Sequence, residues 1–316
     1  MPPRRDEGAR PAPASLVALA TCAELPAGDP DDHGLPSALA AHGVRARWHV
    51  WDDPVVDWSR FDAVVVRSTW DYQLRRDAFL AWAAGLPRVL NPLDVLAWST
   101  DKSYLADLAG AGLPVVPSAF APPGATPDLP AAGELVVKPS VSAGSKDTAR
   151  FCATDRAAAL ALVGAIHASG RTAMVQPYLA SVDARGETAL VYLDGAFSHA
   201  VRKGPLLAAG VQPTDALFAA EDITPRRATG QERAVADEVI GVVAQRFGAL
   251  AYARVDLVAG AGDRPVVLEL ELAEPSLFLA HDPRATERLA AAIARRAGAA
   301  RPTRPAAARA PRARPR

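Results

Sequence analysis

The chain has 316 residues, half of them hydrophobic, and its 35 Lys and Arg balance 35 Asp and Glu to a formal net charge of zero. That length supports two or three lobes with cores of their own, and a neutral balance argues neither for nor against a nucleic-acid partner. No apolar run approaches the roughly 20 residues of a membrane span, and the two cysteines, Cys22 and Cys152, show no metal spacing, which fits a reducing cytoplasm.

Residues 1–13 and 297–316 are rich in Pro, Ala and Arg without apolar periodicity and are expected to be disordered. A nucleic-acid arm is the competing reading of the basic tail. Arg4 and Arg5 precede the apolar run Leu16–Ala23, but Asp6 and Glu7 follow them and the run is short, so it reads as a first strand rather than an export signal. "GLPSALAAHG" follows as a helix stopped by Gly43, then "VRARWHVWD" as an alternating strand and "FDAVVVRSTWDY" as a buried strand running into a polar turn. "RDAFLAWAAGL" is a helix, "RVLN" a short strand and "LDVLAWS" a helical turn or two. Strands alternating with helices predict a small parallel α/β lobe over about residues 14–100, with ligands beyond the carboxyl ends of its strands, where Thr21, Glu24 and Arg67 to Asp71 lie.

Beyond residue 100, "STDKSYLADLAGAGLPVVPS" predicts a helix capped by Ser99 or Thr100 and stopped at Gly112. Lys102 then sits in the first turn, the unfavourable end of the macrodipole for a cation unless an anion binds there; a solvated surface lysine is the competing reading. "ELVVKPSVSAGSKDTARF" is a strand, a loop and a strand. Lys138 ends the first strand, and Ser140, Ser142, Ala143, Gly144 and Ser145 form a small, donor-rich loop whose N–H groups can approach phosphates. It does not spell GxxxxGK[ST], and a strand-end lysine that merely snorkels is, taken alone, the commoner reading. A helix, the strand "AMVQPYL" with an end suited to an adenine edge, a hairpin turning at Asp194–Gly195, a polar stretch Pro205–Arg227 and a helix opening on the capping-box spelling Thr229 to Glu232 complete an α+β body built largely on antiparallel sheet.

The hairpin "YARVDLV"–"AGAGD"–"VVLELEL" carries the sharpest signal. Alternation and simple register place Asp256 opposite Glu269 and Arg254 opposite Glu271. Opposed carboxylates among valines and leucines require a proton or a cation between them, and a hard divalent cation shared with phosphates supplies one. A solvent-facing acidic stripe is the alternative. Lysines, backbone donors and paired carboxylates together spell a polyphosphate site.

The order of "TDKSYLADLAGAGLPVVPS", "VVKPSVSAGS", "VQPYL" with Glu187 downstream, and "ARVDLV…VLELEL" resembles the ATP-grasp superfamily over about residues 14–295. The resemblance implies an ATP-grasp fold: the N-terminal parallel α/β lobe, then two α+β subdomains over about 101–174 and 175–296, with ATP between them. It also implies roles: Lys102 and Lys138 on ATP phosphates, with Ser142, Gly144 and Ser145 covering them; Gln176, Tyr178 and Leu179 around adenine; Glu187 on ribose. Asp256, Glu269 and Glu271 would hold Mg²⁺ or Mn²⁺, and Arg254 would face the transferred phosphate. The last metal ligand departs from the usual Glu-x-Asn spelling, being Glu271. "WDDPVVDWSRFDAVVVRSTWDY", "GETALVYLDGAFSHAVRKGP" and "LELELAEPSLFL" are similar, more specifically, to the O-ureido-serine cyclo-ligase family of D-cycloserine biosynthesis.

That resemblance implies a cytoplasmic ligase of antibiotic biosynthesis. It would phosphorylate a small amino-acid-like carboxylate and then form a C–N bond, in the cyclo-ligases within one molecule. Arg202 and Lys203, ending a strand, are catalytic candidates, and Arg67 and Asp71 candidates for a zwitterionic substrate. The alternatives are an intermolecular peptide ligase and a non-catalytic ATP-binding regulator. Neither nucleic acid nor membrane is expected as a partner.

Overall fold

The computed structural model describes residues 15–144, 146–207 and 222–298. The tails up to residue 14 and from 299, Ser145, and the middle of the polar stretch after Pro205 lie outside the described residues. The first lobe contains β1 (Ser15–Thr21), α1 (Leu35–Ala41), β2 (Val44–Val50), β3 (Ala63–Ser68), α2 (Arg76–Gly85), β4 (Val89–Leu90) and α3 (Leu93–Ser99). Its parallel sheet has the order β2-β1-β3-β4. Every residue of β3 is buried, as a parallel strand covered on both faces requires. Trp51, Phe61 and Phe79 pack one face, with Trp51 edge-on to Phe79 at 5.5 Å.

The second lobe contains α4 (Tyr104–Gly110), β5 (Ala119–Ala121), β6 (Glu134–Pro139), β7 (Ala149–Cys152), α5 (Arg156–Ala168) and β8 (Ala173–Pro177), in an antiparallel sheet of order β5-β8-β6-β7. The third contains α6 (Ser181–Arg185), β9 (Glu187–Leu193), β10 (Ala196–Lys203), β11 (Ile223–Pro225), α7 (Gly230–Phe247), β12 (Tyr252–Ala259), β13 (Pro265–Glu271) and α8 (Ala285–Gly298), with sheet order β11-β10-β9-β12-β13. The β9–β10 turn places Asp194 at φ 54° and Gly195 at φ 77°, the two left-handed residues that a tight hairpin needs. The capping box at α7 forms in both directions, Glu232 N donating to Thr229 Oγ1 at 3.2 Å and Thr229 N to Glu232 Oε2 at 2.7 Å.

Three expectations change. The helix after Thr100 starts at Tyr104, so Lys102 precedes it and its backbone N–H donates to Ser140 O at 2.8 Å. Strand β8 crosses the expected boundary between 174 and 175, because its residues pair with β6 as far as Pro177. Helix α8 runs two residues past 296, since Ala297 is buried with Val17 and Leu19 of the first sheet.

The first and third lobes are pinned by buried polar groups. Asn91, 1% exposed, donates through Nδ2 to Tyr252 O at 2.9 Å and Leu272 O at 2.8 Å, and accepts from Ala251 N at 2.8 Å. The Tyr252 hydroxyl lies 2.7 Å from Val66 O and 2.8 Å from Leu90 O, within hydrogen-bond reach of two first-lobe carbonyls. Arg67 crosses the same junction, bound to Asp32 at 2.9 Å and to Pro275 O at 3.1 Å.

Removing the Asn91 amide strands three buried backbone groups. Asn91→Ala is expected to cost at least about 3 kcal/mol of stability in urea denaturation. A loss below about 1 kcal/mol would mean that the junction does not depend on this side chain.

Candidate active site

The three sheets enclose a cleft of about 420 Å³. Its floor is the third sheet. Alternation on β12 and β13 turns Arg254, Asp256, Glu269 and Glu271 to one face, and the observed register pairs Asp256 with Glu269 and Arg254 with Glu271, as the sequence predicts. Lys203 at the end of β10 stands directly opposite Glu187 at the start of β9. Gly186 permits that start: at φ 69°, a Cβ there would sit 2.2 Å from the Lys203 carbonyl oxygen.

These charges neutralise one another. Asp256, 1% exposed, accepts from Arg254 Nε and Nη2, each at 2.8 Å, and from Lys203 Nζ at 2.9 Å. Lys203 also reaches Glu187 Oε2 at 3.1 Å, and Arg254 Nη2 donates to Glu271. Lys102 Nζ pairs with Glu269 Oε1 at 3.0 Å and donates to Ser142 O at 2.8 Å and Ser142 Oγ at 3.1 Å. The cation required between the opposed carboxylates is therefore supplied by the chain itself. Burial pushes Glu271 up to about 7 despite Arg254, whereas Arg254 and Lys203 overcome the burial of Asp256 and hold it down to about 2.

Lys138 is different. It lines the cleft at the end of β6, is mostly buried, and has no hydrogen bond or ion pair with any described residue. Burial pushes its ammonium below the usual lysine value, against the pull of Glu269. Ser142, Ala143 and Gly144 line the cleft beside it, and Ala143 N is held by Gln73 Oε1 at 3.1 Å. Next to this charged end lies an apolar slot of Val136, Val258, Leu268 and Leu270, closed by Gln176, Tyr178 and Leu179. Tyr178 stacks under the Arg150 guanidinium at 3.5 Å, and Arg150 reaches Leu207 O at 3.3 Å, tying β7 to the slot's outer wall.

Arg202, Arg67, Asp71 and Asp256 do not line the cleft; Asp256 lies beneath it, with both oxygens taken by Arg254 and Lys203. Strand alternation sends Arg202 to the face opposite Lys203, where it pairs with Asp222 at 3.2 Å. Arg67 is buried in its ion pair with Asp32, and Asp71 accepts from Trp51 Nε1 at 2.8 Å and Arg75 Nη2 at 2.6 Å, so both are structural. The end facing the first lobe is formed instead by Asp29, Asp31, Trp70 and Tyr72 with Glu274, Ser276 and Phe278. Of these the sequence marked only Trp70, just past the end of β3; Glu274, Ser276 and Phe278 were given no role because the segment after β13 is irregular and follows no period.

Among the described residues, no three His, Cys, Asp or Glu side chains are grouped to hold a metal by themselves. The donor set nonetheless fits a magnesium ion shared with phosphates, which needs only one or two hard carboxylate oxygens from the protein. Four cationic side chains (Lys102, Lys138, Lys203 and Arg254) already face Glu187, Asp256, Glu269 and Glu271, so an entering polyphosphate must bring compensating positive charge.

Residues 17–91 match the family described as D-cycloserine synthetase DcsG, N-terminal domain. The cycloserine biosynthesis protein DcsG of Streptomyces lavendulae is 38% identical over 285 residues, covering 84% of this chain and 95% of that protein. The crystal structure of D-cycloserine synthetase DcsG superposes with a TM-score of 0.80 at 37% identity, over 90% of this chain and 100% of that one. D-alanine–D-alanine ligase from Bacillus anthracis shares the fold at TM-score 0.62 and 13% identity, over 90% and 97% of the chains. The ATP-grasp ligase PsnB, solved with its minimal precursor, Mg and ADP, does so at 0.56 and 20%, over 89% and 98%.

The buried carboxyls set a pH dependence. Burial raises Glu271 from 4.5 to about 7 and Glu274 from 4.5 to about 8. Between 4.5 and about 8 the folded protein therefore holds protons that the unfolded chain releases, and the stability of the unliganded protein falls as pH rises through that window. Asp256, depressed from 3.8 to about 2, adds stability above its unfolded value that is lost only as pH falls towards 2. Melting temperatures are expected to drop from about pH 5 to about pH 8, with a shallower slope in Glu274→Gln; a rise over that range would contradict the assignment.

Proposed function

Since the chain belongs to the DcsG family of ATP-grasp ligases, ATP-dependent carboxylate–amine ligases, we propose that it activates the carboxylate of a small amino-acid-like substrate and closes a C–N bond within the same molecule. O-ureido-serine is the substrate that the family resemblance implies. The substrate carboxylate oxygen attacks the γ-phosphorus of ATP, giving an acylphosphate and ADP. A substrate nitrogen then adds to the acyl carbon, phosphate leaves, and the nitrogen's proton passes to solvent or to a neighbouring base.

The single observation that carries this reading is Lys138, a mostly buried ammonium with no partner among the described residues, set between a small-residue loop and a balanced cluster of lysines and carboxylates. A phosphate is the group it lacks. Lys102 and Lys138 hold the phosphates, Ser142 and Gly144 cover them, and the slot at Gln176, Tyr178 and Leu179 takes adenine. Glu187 reaches ribose with the oxygen that Lys203 does not use. Glu269 and Glu271, which line the cleft, would hold the magnesium, or manganese, that neutralises and polarises the phosphate oxygens when bound, while Asp256 beneath them fixes Arg254 and Lys203. Arg254 and Lys203, anchored on Asp256, present positive charge to the transferring phosphoryl group. Preorganisation is the protein's main contribution, because these groups are fixed before the substrate arrives.

Incubation with Mg–ATP and a panel of amino acids and ureido amino acids is expected to release ADP with one of them, and product mass separates ring closure from joining of two molecules. No ADP release with any member would overturn the reading. Lys138→Ala, still folded, is expected to bind Mg–ATP roughly ten- to hundredfold more weakly; unchanged affinity would return Lys138 to the role of a surface lysine. Lys203→Ala is expected to lower turnover by at least about a hundredfold, whereas Arg202→Ala, on the opposite face, should stay within about threefold of wild type.

A further inference from the structure

The cleft-lining carboxylates differ in what they hold. Asp29 accepts from Asp31 N at 3.2 Å, and Asp31 accepts from Leu279 N at 2.6 Å and Ala280 N at 2.9 Å. Glu187, Glu269 and Glu271 are paired with Lys203, Lys102 and Arg254. Asp29, Asp31 and Glu274 form no ion pair with any described residue, and of these three Glu274 alone is buried, 7% exposed, with its carboxyl in the cleft wall near the Tyr72 hydroxyl. A buried carboxylate without a cation is costly, so in the unliganded protein this group keeps its proton, and it ionises only when a positive group arrives beside it.

The position is built rather than incidental. Trp70 Nε1 donates to the Glu274 carbonyl at 3.0 Å, Arg67 Nη2 to Pro275 O at 3.1 Å and Arg254 Nη1 to Ser276 O at 3.0 Å. Three donors from two lobes thus hold the backbone of Glu274 and the two residues after it, and its carboxyl lines the cleft with Tyr72. The segment leaves β13 directly after Glu271 and is gripped by Arg254, so Glu274 adjoins the end where the phosphoryl group is transferred. An α-amino acid carries its ammonium one carbon from its carboxylate. An acid aligned with the phosphoryl group therefore presents its ammonium within reach of a neighbouring wall.

Resting on the ligase reading above, we propose that the Glu274 carboxyl and the Tyr72 hydroxyl form the subsite that receives the substrate's primary ammonium group, making the enzyme selective for α-amino acids over their des-amino analogues. Without a ligand, burial and the nearby Glu271 charge keep Glu274 protonated, with its pKa raised to about 8. The arriving ammonium replaces that proton as the counter-charge. Asp29, which also lines this end, adds negative potential without spending its second oxygen on a described backbone N–H.

The test compares kcat/KM, read as ADP release, for O-ureido-serine and for the same acid lacking its amino group, in wild type, Glu274→Gln and Tyr72→Phe. Gln is isosteric with the protonated carboxyl, and melting temperature reports whether each variant is folded. Wild type is expected to favour the amino acid by roughly ten- to hundredfold, the weight of a charge-assisted contact. Glu274→Gln should bring that ratio close to one, chiefly through KM for the amino acid, and Tyr72→Phe should lower it part of the way. A purely structural Glu274 predicts equal losses on both acids, so a wild-type ratio in folded Glu274→Gln overturns the subsite. Should that variant not fold, an undiminished ratio in Tyr72→Phe overturns it instead. ADP release by wild type with neither acid, nor with any other member of the panel, would overturn the ligase reading itself.

Discussion

Asp256 is the constraint on which the site depends. It sits 1% exposed beneath the cleft-lining Arg254 and Lys203, and a bare carboxylate there would be prohibitive. Two nitrogens of Arg254 and the ammonium of Lys203 make it affordable, and in doing so they are themselves fixed. Lys203 then carries Glu187 with it, and Arg254 carries Glu271 and the Ser276 carbonyl. One buried negative charge thereby organises β9, β10, β12, β13 and the segment that follows. Breaking one partner of such a network costs far more than exchanging a surface pair.

That network explains why the segment after β13 is ordered without being a helix or a strand. Its backbone is held at residue after residue by side chains from elsewhere: Trp70, Arg67, Arg254, then His199, whose Nε2 lies 3.0 Å from Leu277 O, and Asp31 beneath Leu279 and Ala280. Phe278 takes φ 50°, an unusual value for an aromatic residue, and lies under the Arg254 guanidinium at 5.3 Å. The strain is tolerated because the surrounding contacts determine the conformation. The same donors join the first lobe to the third, so the junction that stabilises the fold is also the wall of the cleft.

Much of this was legible from local pattern. The run "AVVVRS" reads as a buried parallel strand, and it is one. The alternation in "YARVDLV" and "VVLELEL" sets the register of Arg254, Asp256, Glu269 and Glu271 without reference to anything outside the hairpin. Other elements were missed for identifiable reasons. Helix α8 carries a readable signal, since Leu289, Ile293 and Ala297 recur at helical spacing and are buried, yet it follows an irregular segment that hides its start. Strands β5 and β11 have three residues each, too short for any period to show. Arg67 and Asp71 stand at a strand end, the usual place for ligand contacts, and were assigned accordingly; Asp32, distant in sequence, claims Arg67 for the interior.

The sequence alone determined the order of elements, the phosphate-binding character of the Lys138 loop as an expectation, and which hairpin residues share a face. These follow from periodicities of two and 3.6 residues and from the chemistry of neighbouring side chains. Only the tertiary structure decided which charges are partners. Lys102 meets Glu269 across 167 positions, and Lys203 meets Asp256 across 53. It also decided that Arg202 faces away while Lys203 faces in, and that Glu274 ends buried beside Tyr72 with no cation of its own. The physical reason is range: hydrogen bonding and sterics act between neighbours in the chain, whereas the fate of a buried charge depends on every element that folding brings within a few ångströms of it.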